Sequence, residues 1–141
     1  VHTLIETINS YQLVRDILRE RSYHILLYGE ILGADPDPYP FWHSSQSNYP
    51  GLNLSLFNDR SADKLLEDAR ATTTEKIRTE NYQKFQDILA KEIPAVFLYT
   101  PQYNFIANKD IQGISLNTIV NPADRFNYLP NWYIKTKHQW K

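Results

Sequence analysis

The spacing of apolar positions changes several times along the chain, and each change marks an element. Residues 1–7, VHTLIET, form a short β-compatible run, after which Asn9 and Ser10 offer caps to a helix over YQLVRDILRERS. In that segment Leu13, Val14, Ile17 and Leu18 make one apolar stripe. From Tyr23, YHILLYGEI is nearly continuous in apolar residues, the pattern of a strand covered on both faces. Strand, helix and strand with short joints predict a βαβ unit over residues 1–31, its strands parallel.

Residues 28–46, YGEILGADPDPYPFWHSSQ, break every period. Pro36, Pro38 and Pro40 at alternate positions forbid helix and central strand and favour a stiff extended path, with one helical turn expected near residues 40–43. A stiff loop after a buried strand is a favourable place for a binding surface. The competing reading is a rigid connector whose Tyr39, Phe41 and Trp42 plug a core. Residues 52–57 read as a short strand or an irregular packed segment, completing a loop region over 32–58.

A helix pair is expected over residues 59–93. Asp59 or Ser61 caps SADKLLEDARA, which buries Leu65, Leu66 and Ala69, and Thr72 with Glu75 has the spacing of a capping box. The second helix turns Ile77, Tyr82, Phe85, Ile88 and Leu89 to one side and carries Glu80 with Lys84 and Asp87 with Lys91 on a solvated face. Pro94 ends it. Over residues 94–141, AVFLYT and YNFIA are strand candidates with Phe97 and Phe105 as core, Gly113 closes a turn, 114–120 is a weak strand, and 132–134 is a possible last one. The fold class is therefore α/β.

Composition narrows the partners. A chain of 141 residues can bury an ordinary core, and a net charge of −1 gives no electrostatic reason to seek nucleic acid or an anionic membrane. Ten tyrosines and three tryptophans supply amphipathic faces suited to ligands. The absence of cysteine removes disulfides, thiolate metal sites and cysteine nucleophiles. No apolar run approaches the roughly 20 residues of a membrane span. The chain starts at Val1, directly in a strand-like run, so a fragment of a larger protein is expected.

Candidate chemistry is sparse. Asp35, Asp37 and His43 lie close in sequence, but the prolines hold the acids apart, and Asp before Pro is more suited to accepting backbone amide bonds in turns than to binding a metal. Glu6 with Glu30 is a carboxylate pair in predicted strands that nothing brings together. Hydrolase elbows, phosphate loops and dinucleotide fingerprints are absent, so an enzyme is disfavoured and no cofactor is called for. Asn53-Leu54-Ser55 matches a glycosylation acceptor that arises often by chance.

The order of these pieces resembles a family. An aromatic-Gly pair, then DPDP and FWHSSQ, then ADKLLEDARATTTEKIRTENYQKFQDILAKEIPAVFLYTPQYNFIANKDIQGI, is similar to the C-terminal part of the family 5 extracellular solute-binding proteins, which serve ABC importers of peptides and nickel. The resemblance implies a fragment of a two-lobed periplasmic-binding-protein-like fold contributing to both lobes. It also implies a peptide or other small solute as ligand, permease subunits as membrane partners, and an extracytoplasmic location. It places Tyr28, Glu30, Asp35, Asp37, Tyr39 and Trp42 at the cleft. Peptide-binding members carry a Trp and, three residues later, an Asp that pairs with the peptide's amino group; Gly29 and Leu32 stand there in this chain. An alternative is a protein-interaction domain using the aromatic loop. Exposed apolar faces of a fragment would favour self-association.

Overall fold

Two helices carry the packing of the larger half of the chain. In the computed structural model, which describes residues 2–115, 117 and 119–134, α3 (Arg60–Ala71) and α4 (Glu75–Glu92) lie against each other as an α-hairpin. Asp59 caps α3 by accepting a hydrogen bond from the Ala62 N–H at 2.8 Å. Ala62, Leu66 and Ala69, spaced three and four apart, turn inward, while Leu65 is only half-buried. Phe85 and Leu89 of α4 are buried, with Tyr82 and Ile88 packed beside them, whereas Ile77 stays exposed. The expected capping box is not formed: Thr74 is the N-cap, and Thr72 instead accepts a bond from the Thr74 N–H at 3.1 Å. On the solvated face Glu80 reaches Lys76 at 4.0 Å and Lys91 reaches Glu92 at 3.3 Å, pairings other than those the acid-before-base spacing suggests. The helix ends at Glu92, where Ile93 takes a left-handed conformation just before Pro94.

The chain divides into two compact units, one comprising Val1–Ile31 with Asp37–Phe97, the other Leu32–Pro36 with Leu98–Lys141. In the first, α1 (Ser10–Gln12) is capped by Asn9 and runs on into a π-helical turn, Leu13–Leu18, whose Leu18 is buried. The short α2 (Tyr39–Trp42) stands at the predicted turn and sends Trp42 into the core beside Phe57 and Phe85.

No βαβ unit forms. Residues 2–9 and 23–36 are irregular, and Ile25 and Leu27 are 85% and 80% exposed rather than covered on both faces. An apolar run becomes a buried strand only when neighbouring strands satisfy its backbone groups, and among the described residues these segments have none. The same reason applies to AVFLYT, where Phe97 is 75% exposed, although its ring lies 5.9 Å from that of Trp42. Residues 103–107 are also irregular, with Phe105 half-buried against Trp132.

In the second unit β1 (Ile111–Gln112) pairs antiparallel with β2 (Tyr133–Ile134), Ile111 opposite Ile134. Gly113, at φ 77°, makes the expected turn after β1. Short 3₁₀ helices follow the turn signals at Pro122–Phe126 and Leu129–Asn131. The weak strand expected over 114–120 is irregular where described; Leu116 and Thr118 lie outside the described residues. The chain is thus a mixture of helices and a small sheet, compatible with part of an α/β protein.

Candidate functional site

The loop after α2 is held from inside by an asparagine. Asn53 is wholly buried, and its Nδ2 donates to the carbonyls of Phe57 at 2.8 Å, His43 at 3.2 Å and Trp42 at 3.3 Å. Its Oδ1 accepts from the Phe57 N–H and the Ser55 hydroxyl, each at 3.1 Å. One amide thereby satisfies the polar groups of an irregular segment that has no ladder of its own. A side chain so enclosed is not open to glycosylation, in keeping with Asn53-Leu54-Ser55 as a chance match to the acceptor motif.

Two further ties fix the loop to the rest of its unit. The Ser44 N–H donates to Asp63 Oδ1 at 2.9 Å and its hydroxyl to Oδ2, joining the 3₁₀ turn Ser44–Gln46 to the first turn of α3. Arg21 donates to the carbonyls of Ser47, Leu18 and Gly51, at 2.9, 3.0 and 2.6 Å, and the Tyr23 hydroxyl donates to Leu54. Residues 18–23 are thus bound to 47–54.

Tyr39, His43 and Arg70 form a stack beside these ties. The Tyr39 and His43 rings lie 4.1 Å apart and nearly parallel, and the Arg70 guanidinium sits 4.3 Å from the Tyr39 ring centre. Asp37 supports both ends, accepting from the Tyr39 N–H at 3.1 Å and pairing with Arg70 at 3.2 Å. His43 is buried, accepts from the Ser45 N–H through Nδ1, and turns Nε2 toward Glu67 at 3.4 Å and Asp63 at 3.9 Å without completing a hydrogen bond. Asp37 thus performs the turn-making role expected of an Asp-Pro acid. Among the described residues no group of three His, Cys, Asp or Glu side chains is arranged to hold a metal.

An open cleft of about 240 Å³ is lined by Tyr28, Gly29, Glu30, Ile31, Phe41, Leu52 and Leu54. Partial burial pushes the Glu30 carboxyl above the usual carboxylate range, although the residue as a whole stays in contact with solvent.

The six sequence-derived positions therefore separate. Tyr28 and Glu30 share the cleft; Asp37 and Tyr39 meet at Arg70; Trp42 is taken up by the core; Asp35 belongs to the other unit. Phe41, Leu52 and Leu54 were not among them, and because residues 52–57 form no strand, no period in LNLSLF marks the two leucines as neighbours. Nothing in the sequence distinguished Asn53 from an ordinary loop residue.

Over 95 residues the chain is 33% identical to the probable D,D-dipeptide-binding periplasmic protein DdpA of Escherichia coli (strain K12), a match covering 64% of this chain and 18% of that protein. Over 113 residues it is 30% identical to the oligopeptide-binding protein AppA of Bacillus subtilis (strain 168), covering 80% of this chain and 20% of that protein. The chain is related to the family 5 extracellular solute-binding proteins. It spans about a fifth of the length of the curated relatives it matches. No protein-family model matches it, and no solved structure does so significantly. No helix among the described residues is long and apolar enough to cross a membrane.

Two departures from the family 5 pattern now have a structural setting. Gly29 lines the cleft, and a Cβ added there would meet nothing within 4 Å, so the position expected to carry Trp is open space. Leu32, at the position expected to carry the amine-binding Asp, is 48% exposed and lies in the other unit.

Proposed function

We propose that this chain is part of the solute-capturing component of an ABC importer, binding a peptide or related small solute. The observation that carries the reading is the similarity to two proteins named as dipeptide- and oligopeptide-binding, extending over 64% and 80% of the chain. In this reading two α/β lobes close on the ligand by a hinge motion, outside the cytoplasmic membrane, and the loaded protein docks on permease subunits. Residues 1–31, the loop region 32–58, the helix pair 59–93 and the segment 94–141 contribute to both lobes. The role is capture and delivery rather than catalysis, and it requires no cofactor.

Tyr28, Glu30, Asp35, Asp37 and Tyr39 border the ligand, and Trp42 acts from beneath as the anchor of α2. The hydrogen bonds from Asn53 and Ser44 support this assignment, because a loop already fixed in the free protein loses little entropy on binding. Exposed apolar side chains such as Ile25, Leu27, Phe97 and Tyr99 would make the chain self-associate in isolation. No observation favours the protein-interaction alternative.

Native mass spectrometry of the full-length protein, purified from its host, tests the reading. A retained ligand with a peptide mass, or capture of peptides from a mixture, is the expected result. An empty protein that ignores peptide mixtures overturns it.

A further inference from the structure

His43 is a buried imidazole with different partners at its two nitrogens. Nδ1 receives the Ser45 N–H at 3.1 Å, which caps the 3₁₀ turn Ser44–Gln46, and lies 2.8 Å from the Ser45 hydroxyl. An acceptor at Nδ1 leaves the ring proton of the neutral form on Nε2. That N–H is buried without a hydrogen bond, and two carboxylates of α3 stand just beyond reach, Glu67 at 3.4 Å and Asp63 at 3.9 Å. A buried donor left unpaired costs free energy, so packing alone does not account for the arrangement.

The two carboxylates differ in freedom. Asp63 is held by both hydrogen bonds of Ser44, whereas the Glu67 side chain is 53% exposed and can swing the remaining distance. The other charged groups near them are engaged: Arg70 lies over the Tyr39 ring and pairs with Asp37, and Lys64, one turn before Glu67 on α3, pairs with Asp68.

We propose that His43 is a proton-operated latch on this loop: neutral, it caps the Ser44–Gln46 turn; protonated, it gives up the Ser45 N–H and ties the loop to α3 through Glu67. A proton added to the ring goes to Nδ1, because Nε2 already carries one. Nδ1 then has no lone pair for the Ser45 N–H, and its own new N–H is received by the Ser45 hydroxyl oxygen. At the other nitrogen, the Nε2–H of an imidazolium draws in a carboxylate more strongly than that of a neutral ring. Protonation thus exchanges a bond within the loop for one between the loop and a helix. Histidine suits such an exchange, since it is the side chain that changes charge near physiological pH.

The exchange reaches Tyr39. The His43 ring stacks on Tyr39 at 4.1 Å, and the Arg70 guanidinium lies over that same tyrosine ring. An imidazolium there sets a second cation against one aromatic ring, and the repulsion between the two weakens the hold of Arg70. The latch belongs to the protein without ligand and stands or falls apart from the solute-binding reading.

The test is an NMR pH titration of the full-length protein, isotope-labelled at histidine and serine. The His43 ring is assigned by its nuclear Overhauser contact with Tyr39, and the Ser45 amide by its loss in Ser45→Ala. At high pH the ring nitrogens should show the neutral form with its proton on Nε2. As the pH falls, the Ser45 amide should shift with the same midpoint as the ring, and Glu67→Gln, a change at an exposed position, should move that shared midpoint to lower pH. A ring that stays neutral until the protein unfolds, a Ser45 amide that does not follow the ring, or a midpoint unmoved in Glu67→Gln overturns the latch.

Discussion

Asn53 and Phe57 are bonded to each other twice, the Asn53 amide nitrogen donating to the Phe57 carbonyl at 2.8 Å and its oxygen accepting the Phe57 N–H at 3.1 Å. The same nitrogen also serves the carbonyls of Trp42 and His43, so one buried side chain spans the loop from α2 to the residue that packs on Trp42. Removing it leaves several buried backbone groups without partners. Asn53→Ala should destabilise the protein by on the order of 3 kcal/mol in urea unfolding. Asn53→Asp should be worse, since it exchanges the donors for a buried charge. Unaltered midpoints for both would show that water replaces the amide at no cost.

The tie between Ser44 and Asp63 makes a second prediction. Asp63 takes both hydrogen bonds of Ser44 in the first turn of α3, where a negative charge is also favoured by the helix dipole. Asp63→Ala should cost about 2 kcal/mol, and Asp63→Asn distinctly less because its amide oxygen still accepts one bond. The readout is the urea midpoint at constant m-value. Equal losses in the two variants would mean that the charge, and not the geometry of the acceptor, is what stabilises the loop.

The helices were legible because their information is local. Asp59 caps α3, and Leu66, Ala69, Phe85 and Leu89 follow the 3.6-residue period whatever lies elsewhere. The strands were not, since residues 23–31 and 95–100 carry the apolar pattern but acquire ladder bonds only from neighbours, and none of the described residues supplies them. In LNLSLF Leu52 and Leu56 are exposed, while Asn53 is inside together with Phe57. An irregular segment must satisfy its own backbone, and an amide does this where leucine cannot. The family resemblance pointed to Tyr28 and Glu30, which line one open cleft, whereas the burial of Trp42 follows from where the short α2 docks on the helix pair, a tertiary fact.

Gly51 is required by close approach. A Cβ built on it would lie 2.2 Å from the Gln46 carbonyl oxygen, and that carbonyl is fixed by the Asn53 N–H at 3.1 Å. The atom in the way is backbone and has no rotamer to move. Gly51→Ala should therefore cost roughly 1–3 kcal/mol and disturb the carbonyl that receives Arg21. Thermal unfolding of this variant beside Gly29→Ala, where the added methyl meets open space, isolates the steric effect. Similar losses at both positions would remove it.

Asp124 gives a prediction with a definite sign in pH. Its Oδ2 accepts the Val120 N–H at 2.9 Å and the Asn121 N–H at 2.8 Å, and these bonds, that from Asn121 foremost, hold the carboxyl below the usual range. An acid whose folded value lies below its unfolded value of about 3.9 contributes stability that is fully present above that value and is lost as the pH falls through the folded one. Between those two values the capped turn Pro122–Phe126 should therefore persist while ordinary carboxyls protonate, and then loosen. Amide chemical shifts of Val120 and Asn121 should titrate together, below the exposed acids of the chain, and Asp124→Asn should abolish the step. Titration of those two amides at or above about 3.9 would show that the bonds to Asp124 do not favour its ionised form.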